Sequence, residues 1–244
     1  MAEITIRDLH FKRGDFQLQL AAVKVAAGEK IAILGENGSG KSTLLQLLTG
    51  LLASRNAISY AGQRLEHLSM LQRARCFSLL PQQAEVIFPF SVFEVILLGR
   101  FARMQGQSPA EADQQATRQL VQQLELDDLA TRNFNQLSGG EQRRVMLARV
   151  LNQQAQILFL DEPNASLDVR HSLEIFDYLR RQQHTLIAPV HDINLAAQFF
   201  QRFWLFKQGH LLADVSRSDL TCELLSETFN VKVSTVADSF LFSR

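Results

Sequence analysis

The stretch Gly35-Glu36-Asn37-Gly38-Ser39-Gly40-Lys41-Ser42-Thr43 constrains this chain more than any other. Gly35 and Gly40 bracket four residues and are followed by a lysine and a hydroxyl residue, the pattern of a phosphate-binding loop. Before it, Lys30 to Leu34 form a short apolar run, as a strand buried on both faces of a parallel sheet requires. After it, Leu44, Leu45, Leu47, Leu48 and Leu51 recur at helical spacing. Strand, glycine loop and helix together let successive N–H groups point at phosphate oxygens, with the positive end of the helix aimed at the same place. Lys41 adds a charge for the β- and γ-phosphates, and the Ser42 hydroxyl suits Mg²⁺. Gly35, Asn37, Gly38, Ser39, Gly40, Lys41, Ser42 and Thr43 are therefore the expected contacts of a nucleoside triphosphate.

A chain of 244 residues holds one large domain or two modest ones, and 46% hydrophobic residues suffice for a proper core. With 25 basic and 25 acidic residues, no global field draws it to nucleic acid or anionic lipid, so nucleic acid is not an expected partner. Cys76 and Cys222 stand far apart with no CxxC partner, which favours plain thiols in a reducing compartment over a disulfide or metal site. No apolar run approaches the roughly 18 residues of a membrane span, and the opening MAEITIRDLH lacks the basic and apolar segments of a signal peptide. The expectation is a soluble intracellular chain that meets a membrane only through partners.

Residues 3 to 25 read as strands, and the alternation in Phe16-Gln17-Leu18-Gln19-Leu20 suits a half-exposed antiparallel one. Ile58 to Tyr60 and Cys76 to Leu80 look like further strands around a polar helix. Ser108-Pro109-Ala110-Glu111 predicts a helix start, with a serine cap, proline at the first position and a glutamate closing the box. Ala112, Ala116, Leu120 and Leu124 would then form its buried stripe. Residues 84 to about 150 read as a helical insertion. Sheet character returns at Ile157 to Leu160, followed by a helix over 170–182, a strand at Leu186 to Val190, and a mixed final segment with a helix near 218–229.

Two further stretches carry chemistry. Asp161 and Glu162 follow directly on the apolar run Ile157-Leu158-Phe159-Leu160, which places them at the carboxyl edge of a parallel sheet, where ligands collect. Asp161 suits a Mg²⁺ held through water, and Glu162 suits the general base on an attacking water. Alone, such a pair is an ordinary acidic turn; beside a phosphate loop it is a second half of the site. Leu137-Ser138-Gly139-Gly140-Glu141 opens a helix whose N-terminus is a candidate anion site.

The three stretches, in this order, resemble those of the ATP-binding subunit of ABC transporters, over essentially the whole chain. Residues 35–43 match Walker A, 157–162 Walker B and 137–141 the signature. Gln82, in Leu80-Pro81-Gln82, matches the Q-loop glutamine, Asn164 to Asp168 the D-loop, and His191 the switch histidine. Phe11 stands where an aromatic residue stacks on adenine. The resemblance implies an α/β fold: a phosphate-loop NTPase core, with a mixed sheet, flanking helices and an antiparallel β subdomain, plus an inserted α-helical subdomain. It implies one ABC ATPase domain over 1–244, with 1–83 and 152–244 as catalytic core and 84–151 as helical subdomain.

The family's mechanism implies a head-to-tail homodimer in which each ATP lies between one copy's phosphate loop and the other's Ser138, Gly139 and Gly140. Glu162, His191 and Gln82 would be the catalytic set, Ser42, Gln82 and Asp161 the Mg²⁺ set, and Asp168 the coupling residue across the dimer. Phe88 and Phe90, flanking Pro89, would meet a coupling helix of a transmembrane permease. Ser91 to Val95, Leu98-Gly99-Arg100, His191 to Ala196, and Leu220-Thr221 before Phe229-Asn230-Val231 are similar to the subgroup that imports iron–siderophore complexes, haem and vitamin B12. That subgroup implies a periplasmic substrate-binding protein and a position on the cytoplasmic face of the bacterial inner membrane. An exporter ATPase shares the chemistry. A soluble ABC-type repair or translation ATPase fits poorly, because the span from Lys41 to Ser138 leaves no room for a long coiled coil and the chain holds one cassette. A nucleotide-binding module without turnover would not need Glu162 and His191.

Overall fold

The computed structural model describes residues 3–83, 86–104, 107–236 and 239–243. Strands β1 (Ile4–Arg13) and β2 (Phe16–Val25) pair antiparallel from Ile4↔Val25 to Arg13↔Phe16. The alternation along β2 buries Leu18 and Leu20 and leaves the intervening glutamines less covered. Strand β3 (Lys30–Gly35) is buried at every position, because parallel strands flank it on both sides. Its side chains alternate between two cores. Ile31 and Ile33 face the cluster under β1, β2 and helix α1 (Lys41–Thr49), whereas Ala32 and Leu34 face the cluster shared with the helical region.

Helix α1 buries Leu44, Leu45, Leu47 and Leu48 as the spacing predicts. Leu51 departs from that stripe. Gly50 adopts a left-handed conformation (φ 74°) and its N–H bonds back to the Leu47 carbonyl, so the helix stops at Thr49 and Leu51 is exposed. Strands β4 (Ile58–Tyr60) and β5 (Gln63–Arg64) extend the antiparallel edge. Helix α2 (Met70–Cys76) buries no side chain and is held by a Ser69–Gln72 capping box, so Cys76 ends this polar helix rather than starting strand β6 (Phe77–Leu80).

From β6 the described chain is helical up to Asn152: α3 (Val92–Leu97), α4 (Phe101–Met104), α5 (Glu111–Gln123) and α6 (Gly139–Asn152). Gly99 lets the turn after α3 cross α6 closely; a Cβ there would lie 2.1 Å from the Arg149 carbonyl oxygen. Helix α5 corrects the sequence reading twice. It starts at Glu111 with Ala110 as cap, because Asp113, not Glu111, accepts the capping N–H. Its buried face is Asp113, Thr117, Leu120 and Val121, turned one residue from the predicted stripe. The cause is a buried polar network. Arg100 donates to Asp113 at 2.9 Å, Thr117 donates to the Asp113 carbonyl, and Asn152 donates to Thr117 and to the Ile96 carbonyl.

After α6 come β7 (Ile157–Leu160), α7 (Val169–Arg181), β8 (Thr185–Pro189) and α8 (Ile193–Phe199). They are followed by β9 (Arg202–Lys207), β10 (His210–Ser216), α9 (Cys222–Phe229) and a separate hairpin of β11 (Lys232–Val236) and β12 (Ser239–Ser243). The main sheet runs β5-β4-β1-β2-β10-β9-β3-β8-β7-β6, and its β9-β3-β8-β7-β6 half is parallel. Pro189 sits in this half without breaking it. The N–H groups of Leu186 and Val190 point to β3, so the missing one of Pro189 faces β7, whose pairing with β8 ends at Ile187. The carboxyl ends of β3, β7 and β8 therefore lie side by side.

Candidate active site

That edge gathers the first two motifs. An open cavity of about 350 Å³ is lined by Phe16, Asn37, Gly38, Gly40, Lys41, Ser42, Thr43, Gln82 and Glu162. Gly35 at φ 152° and Gly40 at φ 108° take conformations that side chains resist. At Gly35 a Cβ would also meet the Phe206 carbonyl at 2.3 Å. The Lys41 ammonium rests on the loop, donating to the Gly35 carbonyl at 2.7 Å and the Glu36 carbonyl at 2.9 Å. Burial lowers its pKa, while the nearby Glu162 and Asp161 pull the other way. A buried ammonium held only by carbonyls is a ready partner for phosphate oxygens.

Asp161 is buried at the end of β7, and its Oδ1 has no hydrogen-bond partner. Burial raises its pKa, and a hydrogen bond from Ser42 opposes this. Among the described residues no group of three or more His, Cys, Asp or Glu side chains could hold a metal. A hard cation with few protein ligands, completed by phosphate and water, is the Mg²⁺ habit, and an orphaned carboxylate oxygen beside a serine hydroxyl fits it.

Glu162 takes a left-handed conformation, φ 51°, and its Oε1 lies 2.6 Å from His191 Nε2. Gln82 lines the same cavity from the loop after β6. The signature lies elsewhere. Ser138 caps α6, accepting from the Glu141 N–H at 3.3 Å and donating to Glu141 Oε2 at 2.7 Å. The Ser138 hydroxyl and the Ser138 N–H, both donating to that carboxylate, hold the Glu141 carboxyl below its usual pKa. Ser138 and Gly139 are exposed, Gly139 faces open space, and Gly140 packs beside the Ser166 carbonyl. None of the three lines the phosphate-loop cavity. Asp168 caps α7, accepting from the His171 N–H at 2.9 Å, and that bond lowers its pKa.

The aromatic side chain at the cavity is Phe16, not Phe11. The β1–β2 turn folds Phe16 back onto the loop, where a Cβ on Gly40 would lie 2.9 Å from its Cζ. Phe11 pairs with Leu18 further along the hairpin, beside His10, Lys12, Gln17, Gln19, Ala53 and Arg55. The only trace of Phe16 in the sequence is an aromatic opening an alternating strand, which also describes a core residue. Arg143 left no trace at all, yet its guanidinium is buried between the loops that carry Gln82 and Glu162.

A family model described as ABC transporter matches residues 18–165. The chain belongs to the ABC transporter family. Within it, the chain is an ATP-hydrolysing subunit that powers transport. It is 39% identical over 210 residues to the hemin import ATP-binding protein HmuV of Gloeobacter violaceus, covering 82% of this chain and 76% of that protein. The protein of the same name from Streptomyces coelicolor is 38% identical over 216 residues, covering 86% and 77%. In three dimensions the chain is similar to a structure described as an inward-facing metal-chelate type ABC transporter, with TM-score 0.81, 25% identity, and 99% and 96% of the two chains covered. Among the described residues no helix is long and apolar enough to cross a membrane.

Proposed function

We propose that two copies of this chain clasp ATP and Mg²⁺ between them to power a permease that imports haem. The cavity formed by the phosphate loop, Gln82 and Glu162 carries the reading, because it is built from one chain yet lacks the signature donors. Phosphate would bind to the loop N–H groups and Lys41, with the adenine against Phe16. Mg²⁺ would be held by Ser42, Asp161 and Gln82, and it would offset phosphate charge. Glu162, oriented by His191, would take the proton of the attacking water. Ser138, Gly139 and Gly140 of a second copy would close the site over the γ-phosphate, and Asp168 would couple the two sites.

Haem is favoured among iron-chelate cargoes by the relatives named for hemin import. The chain would work at the inner face of the bacterial membrane, with a permease pair and a periplasmic binding protein. Residues 84–151 would form the helical subdomain and 1–83 with 152–244 the catalytic core; Ala84 and Glu85 lie outside the described residues. Ile87, Phe88 and Phe101 expose apolar surface on the helical side, and Phe90 packs inward, so Phe88 rather than Phe90 would meet the permease.

The test is reconstitution in proteoliposomes with the cognate permease and binding protein. Haem should stimulate ATPase activity several-fold, and chelating Mg²⁺ should abolish it. Stimulation by a ferric siderophore or vitamin B12 instead would replace the cargo and leave the ATPase reading intact. No permease association would overturn the transport reading.

A further inference from the structure

Arg143 stands at the second turn of α6, five residues after Ser138, and its side chain is only 8% exposed as a residue. Its Nη1 donates to the Pro81 carbonyl at 2.7 Å and to the Gln82 carbonyl at 3.3 Å. Its Nη2 donates to the Glu162 carbonyl at 2.8 Å and to the Asp161 carbonyl. One guanidinium thus binds both loops that carry the proposed water-handling side chains, and it belongs to the helix that presents the signature. Four carbonyls around one cation need the fixed fork of arginine; a lysine ammonium cannot span both pairs with the same geometry.

The Glu162 backbone makes this clamp consequential. Its φ of 51° is a conformation that costs a side-chain-bearing residue energy and persists only where the surroundings enforce it. Two of the four Arg143 bonds end on the carbonyls of Asp161 and Glu162, on either side of the Glu162 amide N and Cα. Gly140 adds a second contact between the same helix start and the core, since its close approach to the Ser166 carbonyl leaves no room for a Cβ.

We propose that Arg143 is a positioning residue that holds Glu162 in its reactive orientation and makes that orientation depend on where the signature helix sits. The proposal rests on the reading of Glu162 as general base. Displacement of the signature helix would pull the clamp and turn the carboxylate, so turnover would answer to the helix and nucleotide binding would not. Arg143 touches no substrate; it acts through the backbone of Glu162 and Gln82.

The test compares R143M and R143K with wild type and E162Q, each purified as the full chain. Mant-ATP affinity, kcat, KM and the melting temperature are measured for each. Misplacement of a reacting group by about 1 Å costs about 100-fold, so kcat should fall about 100-fold in R143M. KM and mant-ATP affinity should stay within about three-fold of wild type. R143K should recover little, because charge without the fork does not rebuild the clamp. Adding R143M to E162Q should cost little beyond E162Q alone, since both changes act on one carboxylate. Near-normal kcat in R143M, or a loss that follows nucleotide affinity, would overturn the proposal. So would a full further loss on top of E162Q, or unfolding of both Arg143 variants, which would assign Arg143 to the fold alone. A normal rate in E162Q would sink the base reading; a normal rate in R143M with E162Q inactive would sink the positioning role only.

Discussion

His191 Nε2 and Glu162 Oε1 stand 2.6 Å apart although 29 residues separate them in the chain. The pair exists because β7 and β8 are parallel neighbours, so the residues that follow their carboxyl ends emerge together. A hydrogen bond of this length fixes the carboxylate against rotation at the mouth of the phosphate-loop cavity. Replacing Glu162 by Gln should lower ATPase turnover by about 10²–10⁴-fold while ATP stays bound, as single-turnover assays and nucleotide retention on gel filtration would record. Unchanged turnover would remove Glu162 from the mechanism.

Lys41 is buried with its ammonium on two backbone carbonyls, so it needs no rearrangement of the fold to reach phosphate. A charge-assisted hydrogen bond contributes about 1.5–3 kcal/mol, so Lys41→Ala should weaken ATP binding by about 10- to 100-fold. Isothermal titration would check it, and an unaltered Kd would contradict the phosphate-loop reading.

Phe16 and Phe11 make opposite predictions. Stacking of a base on an aromatic ring contributes about 1–3 kcal/mol, so Phe16→Ala should weaken mant-ATP binding about five-fold or more. Phe11→Ala, outside the lining of the phosphate-loop cavity, should leave affinity unchanged. The reverse ranking would restore Phe11 as the adenine platform.

Ser138 is exposed and lies outside the cavity of its own chain. Ser138→Arg should abolish hydrolysis in the homodimer. Mixed with Lys41→Ala, it should restore activity at one composite site per heterodimer. A mixture that stays dead at all ratios would argue against shared sites.

The Arg100–Asp113 pair is buried, unlike exposed pairs such as Arg170–Glu174. Removing one partner of such a pair costs about 3–5 kcal/mol, so Asp113→Ala should lower stability by about that amount in urea unfolding. Gly99→Ala should be comparably damaging, because its new methyl group would collide with the Arg149 carbonyl. The exposed pair Arg170–Glu174 should be worth under about 1 kcal/mol by the same measurement.

Much of this molecule is written locally. The loop at Gly35 to Thr43, the strand before Asp161 and Glu162, and the capped start of α6 at Ser138 each depend on residues within a few positions of one another. Backbone conformation, capping and short apolar runs act over that distance, so the motifs, their order and the α/β character were legible without a structure. What only the tertiary structure decided involves partners far apart in the chain. Phe16 rather than Phe11 lines the phosphate-loop cavity because the hairpin turn brings Phe16 against Gly40. The buried face of α5 turned by one residue because Arg100 and Asn152, from other helices, offered bonds to Asp113 and Thr117. Arg143 acquired its place only when β6, β7 and α6 packed, since a buried guanidinium takes its meaning from the carbonyls around it and sequence spacing does not encode where those carbonyls point.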